Sequence, residues 1–497
     1  MNPKIKKILI GILTAAILTA AVVGIYGYAG QRAFISTLFS GLTLGSLFFM
    51  VAAGLTLIFG LMDVLNFAHG SMFMLGAYIG WQFYTNPTFI FGMAPFFLAF
   101  AAGVMVTPII KPYLVAWNIS EKWQKALPNI IYALALVALV FAFVGFDILS
   151  VADTAMVAAT TTTIGNPLAE ISAQEPLSTF WLRPVLMFVS GLLIAVASSR
   201  PGDKTQFAPK EPHAKKLLMP AALLALTLIS TLVRESASVA TLLMNGNLRF
   251  ALSILLSVAF GFVFGAVLEM TLIRPLYVRP TFIILMTLGL SYVIRELVQY
   301  LWDPLTYQMS RPPLFAQPGK AANIMEWLQK GSATIDMYGA TVPTYRLFII
   351  ALGIVMFIVI VFIMTKTRLG MIIRAGVQDP QMVEAMGINV KAVFTLVFAM
   401  GVALAALGGI GAAPFLPVQP LMGDTYQTQG LITVVIGGMG SYIGAFVGAM
   451  ILGMARAFGD YFALKLSLSP AIAEASTVII MVIVLLTRPQ GLFGKKE

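Results

Sequence analysis

Apolar runs of about 17 to 25 residues recur along this chain, separated by short polar or basic connections. Each is long enough to cross roughly 30 Å of hydrocarbon as a helix. The runs are continuously apolar, whereas a transmembrane β-barrel would show segments of about ten residues with alternating polarity, so a barrel is excluded. Candidate crossings fall at residues 7–28, 34–60, 64–85, 94–110, 129–147, 180–198, 217–234, 250–272, 281–300, 346–365, 392–417 and 468–487. The predicted fold class is all-α, a polytopic membrane helix bundle with broken or re-entrant helices.

Composition agrees with the pattern. The chain is 59% hydrophobic and only 10% charged, with a mean hydropathy of +0.92, which leaves too little polar surface to clothe a soluble globule. The net charge of +11 would point to nucleic acid in a soluble protein. Here the basic residues sit in short loops beside the spans, at 111–125, 200–216, 274–279 and 366–391, and again at Arg488, Lys495 and Lys496. That is the positive-inside pattern, so no nucleic-acid partner is expected and these loops are predicted to be cytoplasmic. The long segment 303–344, with several prolines, is expected on the opposite side. Without cysteine there is no thiolate nucleophile or Cys-ligated metal, and two distant histidines, His69 and His213, make no metal site.

The N-terminal lysines and the apolar run after them fit either a cleaved signal peptide or an uncleaved span; the poor small-residue pattern at residues 28–32 favours the span. Parity constrains the other end. Lys391 and Arg488 share a side, and two plain spans already connect them evenly. The apolar stretch 431–458 must therefore enter and leave by one face, as paired short helices or a re-entrant hairpin broken near Gly437, Gly438, Gly440 and Ser441. A doubled GxxxG at Gly440, Gly444 and Gly448, and pairs at Gly41/Gly45, Gly76/Gly80 and Gly261/Gly265, read as notches for close helix approach.

The first half carries its sharpest signal where an apolar span is interrupted by Asp63, Asn66, His69 and Gly70. Polar groups there face a bundle interior or water. Two readings stay open: a cavity wall, or a capping aspartate with a satisfied interfacial histidine. In the basic loop, Asp379 before Pro380 reads as a helix start, and Gly387 stops a short helix that includes Glu384 and Met386. No GxxxxGK[ST] phosphate loop occurs, so the chain is expected to be non-catalytic and to hydrolyse no ATP. The spans carry almost no ionisable residue at their middles, which argues against an ion-coupled carrier. No cofactor is expected.

Residues 41–78 (GLTLGSLFFMVAAGLTLIFGLMDVLNFAHGSMFMLGAY) resemble the first signature of the LivH-type branched-chain amino-acid ABC permeases. Residues 368–393 (RLGMIIRAGVQDPQMVEAMGINVKAV) resemble that family's cytoplasmic loop, and 430–453 with TRPQGLFG at 487–494 resemble its C-terminal region. The resemblance covers about 34–90 and 250–497. It implies a type II-like importer permease of the bacterial inner membrane, working with a second permease subunit, two ATP-binding cassette subunits and a periplasmic solute-binding protein. It also implies four regions: an extra N-terminal span or signal-anchor at 1–33, a first core part at 34–91, an insertion with about four spans at 92–249, and a second core part at 250–497. The even crossing count makes the insertion peripheral in this reading.

The translocation pathway is then placed between Asp63, Asn66, His69 and Gly70 on one side and Gly437, Gly438, Gly440 and Ser441 on the other. ATPase coupling is placed at Asp379, Glu384, Met386, Gly387 and Ile388. Expected solutes are branched-chain amino acids, with urea, short amides or aromatic acids as alternatives and an ion-coupled secondary transporter as the competing class.

Overall fold

The computed structural model describes residues 26–62, 65–115, 117, 120–146, 148, 176–199, 213–277 and 279–494. The first apolar run up to residue 25, Asp63 and the basic segment 200–212 lie outside the described residues. In chain order, the helices used below are α1 (Gln31–Met62), α2 (His69–Thr85), α3 (Thr88–Val104), α4 (Thr107–Val115), α5 (Glu121–Phe143), α6 (Leu182–Ser198) and α7 (His213–Leu243). They continue as α8 (Gly246–Leu268), α9 (Pro280–Trp302), α10 (Ile324–Lys330), α11 (Thr344–Lys366), α12 (Arg368–Gln378) and α13 (Pro380–Ala385). The last four are α14 (Val390–Ala412), α15 (Met422–Gly437), α16 (Tyr442–Lys465) and α17 (Ala471–Thr487).

Among the described residues, ten helices are long and apolar enough to cross a membrane, and α17 is a shorter apolar helix. The protein is an all-α multi-pass membrane bundle. Bulky side chains such as Val355, Ile358 and Phe362 on α11 are exposed along helix faces, which lipid tolerates and water would not.

The chain divides into two compact units, residues 1–81 with 246–497, and residues 82–245. The smaller unit packs α3 against α6 and α7, and α6 against α5. Small residues allow this: a side chain on Gly103 or Gly191 would run into the facing helix backbone. Phe96, Ala99, Ala142, Phe180 and Met187 form its core.

The larger unit is built around α1, which packs against α14, α15, α16 and α11. The GxxxG pairs serve here as notches. Gly41 and Gly45 on α1 meet Met454 and Ala449 on α16; Gly76 and Gly80 on α2 meet Ala406 and Ile410 on α14; Gly261 and Gly265 on α8 meet Ala406 and Val402. Ser257 donates to the carbonyls of Gly76 (2.8 Å) and Ala406 (3.2 Å), tying three helices together. A Cβ on Gly453 would lie 2.6 Å from the Gly45 Cα. Gly453→Leu is therefore expected to cost roughly 1–3 kcal/mol or more by overpacking. Gly289→Ala, on open surface within a helix, should be neutral or stabilising by about 0.5–1 kcal/mol. Thermal unfolding in detergent measures both.

Residues 303–344, expected as a loop, fold into a small extramembrane subdomain. Strand β1 (Gln317–Ala321) runs parallel to β2 (Ser332–Met337), and β2 pairs antiparallel with β3 (Ala340–Pro343). Ala321, Ile335 and Val342 form its core, with Trp327 packed against them. Short alternating segments between prolines hid this sheet among the long apolar runs. Lys320 pairs with Asp336 at 2.6 Å and Lys330 with Glu326 at 2.8 Å. These lysines hold both carboxyls below their usual range. A carboxyl depressed in the fold contributes stability above its unfolded value and loses it as pH falls. The subdomain should thus loosen below about pH 4, seen as faster amide exchange in 317–343 while the apolar helices stay protected.

Candidate translocation site at the helix breaks

Helix α2 has 17 residues and α15 has 16, at or just below the minimum for a crossing and about 24–26 Å long at 1.5 Å per residue. Both begin at mid-depth. Gly401 is the central residue of the 23-residue α14, and a Cβ on Gly54 would meet both the Gly401 carbonyl oxygen and the His69 ring. The start of α2 therefore lies level with the middle of α14. Gly70 packs directly on the Gly423 carbonyl in the first turn of α15. The N-terminal ends of two half-helices thus converge near the middle of the bundle, and helix N-termini carry partial positive charge.

Asn66 and Gln427 join these ends. Asn66 Oδ1 accepts from the Ala68 N–H at 3.0 Å; the Gly70 N–H donates to Gln427 Oε1 at 2.6 Å, and Gln427 Nε2 donates to the Asn66 carbonyl at 3.3 Å. From α9, the Thr287 hydroxyl accepts from the Phe67 N–H at 3.2 Å. The break is held by side chains in place of backbone pairing, as lipid demands. Asn66 Nδ2 is buried without a partner, and the fully buried His69 lies beside the Val51 carbonyl with neither ring nitrogen in normal hydrogen-bond geometry. Tyr426 stacks on Phe73 with centroids 4.3 Å apart, fixing α15 against α2.

Charged side chains near this depth escaped the sequence-based expectations. Arg295 on α9 pairs with Asp424 on α15 at 2.8 Å. Arg295 falls inside the expected span 281–300, and Asp424 between the expected span 392–417 and the apolar stretch 431–458, so no single window displayed the pair. At the end of the bundle that carries Arg488, Glu269 is fully buried and receives Arg274 at 2.7 and 3.1 Å, Tyr277 at 2.6 Å and Thr395 at 2.7 Å.

The four residues expected at the second break separate. Helix α15 ends at Gly437 and α16 starts at Tyr442, so the antiparallel pair covers 422–465, longer than the 431–458 expected. Gly437 is wedged against Gly444, and Gly438, at φ +97°, lies against the C-terminal segment, where a Cβ would be 2.5 Å from the Gly494 nitrogen. The Leu492 and Phe493 N–H groups donate to the carbonyls of Ile436 (2.9 Å) and Gly437 (3.0 Å). Gly440 and Ser441 instead border a cavity of about 830 Å³, walled also by Gly60, Thr365, Arg374, Gln378, Tyr442 and Gln490. Ser441 caps α16 by accepting from the Gly444 N–H at 3.1 Å.

That cavity touches the basic loop. Arg374 on α12 donates to the Met364 carbonyl at the end of α11. Helix α13 follows, with Asp379 accepting from the Gln381 and Met382 N–H groups at 3.0 Å each. Glu384, Met386 and Gly387 are exposed, Ile388 is half-buried, and Val383 alone of α13 is buried among the described side chains.

A membrane helix bundle breached at mid-depth by two half-helices and a charge pair has the build of a membrane transport protein. Residues 214–487 match the family described as branched-chain amino acid transport system, permease component; that is more than half of the chain, which belongs to this family. It is 28% identical over 173 residues to the high-affinity branched-chain amino acid transport system permease protein LivH of Salmonella typhimurium strain LT2, covering 35% of this chain and 54% of that protein. With LivH of Escherichia coli K12 the identity is 28% over 163 residues, 33% of this chain and 51% of that one. With BraD of Pseudomonas aeruginosa PAO1 it is 27% over 279 residues, 56% and 82%. The chain spans about half the length of the LivH proteins it matches. No solved structure matches it.

Proposed function

We propose that this chain is the translocation subunit of an ATP-driven importer of the bacterial inner membrane, carrying branched-chain amino acids or related small solutes. The observation that carries the reading is the convergence of α2 and α15 at mid-depth, since discontinuous helices with polar ends at the midplane are how transporters hold solute. Asn66 and the freed backbone groups near it offer temporary partners. The buried His69 shapes that wall, and Asp63 belongs to the same connection in sequence.

Energy enters from elsewhere in this reading. Helix α13, exposed at Met382 (61%) and followed by the exposed Met386 (74%), suits a cleft on one of two ATP-binding cassette subunits, and Asp379, Glu384, Gly387 and Ile388 set its start, charge, stop and return. Helix α12 connects it to the cavity at Gly440 and Ser441. A second permease subunit completes the pathway, and a periplasmic solute-binding protein delivers solute. The test is reconstitution: the chain should copurify with ATP-binding cassette subunits and support uptake of a branched-chain amino acid that stops without ATP. Uptake that follows an ion gradient and ignores ATP would sink the proposal.

A further inference from the structure

Asp424 and Arg295 pose a problem for a helix bundle in lipid. Their side chains are 55% and 21% exposed, yet Asp424 stands in the turn after Gly423, which packs on Gly70 at mid-depth. Charges at that depth are stable only where water or protein replaces hydrocarbon. The surface around them is polar on one helix face: Asp424, Thr425 and Thr428 are all exposed on α15. Tyr292 flattens the guanidinium from one side, with its ring centroid 4.7 Å away, and Glu296 approaches Arg295 at 3.8 Å. Gln427, on the same helix as Asp424, ties this face to the α1–α2 break.

We infer that the Arg295–Asp424 pair is the solute-recognition site for zwitterionic amino acids, with Arg295 receiving the α-carboxylate and Asp424 the α-ammonium. The inference rests on the importer reading above and names the substrate class of its pathway. A guanidinium fork matches a carboxylate bidentately. Before solute arrives the two side chains satisfy each other at 2.8 Å, so no lone charge is stranded. An entering zwitterion trades partner for partner: one ion pair opens, two form, and net charge at the site is unchanged. Because the protein's own pair competes, binding stays shallow and release is fast, as a pathway requires. A solute lacking one charged end could open the pair only by leaving Arg295 or Asp424 without its counter-charge, so it gains no ion pair in the exchange. The apolar part of the amino acid is left to extend toward Leu288 and Leu431, each about two turns away on the same helices.

The test uses the assembled importer in proteoliposomes. The double variant Arg295→Leu/Asp424→Leu removes the pair without leaving a lone charge, so the complex should still copurify while leucine uptake at low concentration falls at least about tenfold. Because the chain has no cysteine, Thr428→Cys gives a single thiol one turn from Asp424. A water-soluble thiol reagent should label it, and leucine should slow labelling several-fold where leucinamide and isoamylamine do not. A double variant that takes up leucine like the parent overturns the inference and leaves the importer reading standing; so does a Thr428→Cys thiol that resists the reagent or is protected equally by all three compounds. A parent complex that moves only uncharged solutes overturns the inference alone, and one that needs no ATP overturns both.

Discussion

Replacing Gly438 by leucine is expected to abolish uptake by dismantling the complex, whereas Gly440→Leu should leave the complex assembled and slow uptake several-fold. The two glycines are near neighbours in sequence and share a positive φ, +97° and +78°, so each leucine incurs left-handed strain of roughly 1–2 kcal/mol. They differ in what surrounds them. At Gly438 the new Cβ meets the Gly494 nitrogen at 2.5 Å and the Gln490 carbonyl at 3.0 Å, adding about 1–3 kcal/mol of overpacking against backbone that cannot rotate away. The sum, roughly 2–5 kcal/mol, is a large share of a typical folding stability of about 5–15 kcal/mol. It also expels the C-terminal segment, with the two hydrogen bonds from Leu492 and Phe493 that latch the α15–α16 turn. At Gly440 the nearest atom is the Gly60 Cα at 3.8 Å, and the side chain would project at the cavity of about 830 Å³. Copurification of the partner subunits beside uptake separates the outcomes. Intact assembly and normal uptake with Gly438→Leu would show that the latch is dispensable.

Charge reversal at Glu384, or a bulky residue at Gly387, is expected to uncouple ATP hydrolysis from transport, with solute stimulation of the ATPase lost while the chain still inserts in the membrane. Helix α13 has only six residues and cannot stand on propensity alone. The Asp379 cap and Pro380 start it; Gly387, at φ +82° with open space around it, stops it. Glu384 and Gly387 are exposed, so these substitutions change what the loop presents outward rather than the bundle behind it. Val383 is buried, and Val383→Asp should instead lower stability, which gives an internal control. Solute-stimulated ATPase activity in the reconstituted complex is the readout, and stimulation that survives several such variants would remove the coupling role.

Much of this architecture was legible in the order of residues. Continuous apolar runs in a chain with so few charges have only lipid as a compatible solvent, and the helix at Pro380–Ala385 follows from local rules, an Asp–Pro start and a glycine stop. Parity alone required an antiparallel pair around Gly437–Ser441, because charge placement decides crossing number without reference to packing. Those properties depend on neighbours in sequence or on the solvent.

What packs against what depends on neither. Whether a glycine is a notch or a cavity wall is decided by the helix opposite, which is why Gly437 and Gly438 are held by Gly444 and the C-terminal segment while Gly440 and Ser441 line open space. The small sheet at 317–343 needed pairing between segments that carry no apolar run. The depth of α2 and α15 came from Gly401 and Gly423, residues far in sequence from the break after α1. Arg295 and Asp424 are 129 residues apart and each is ordinary in its own window; only the fold sets them 2.8 Å apart, where their opposite charges become one site.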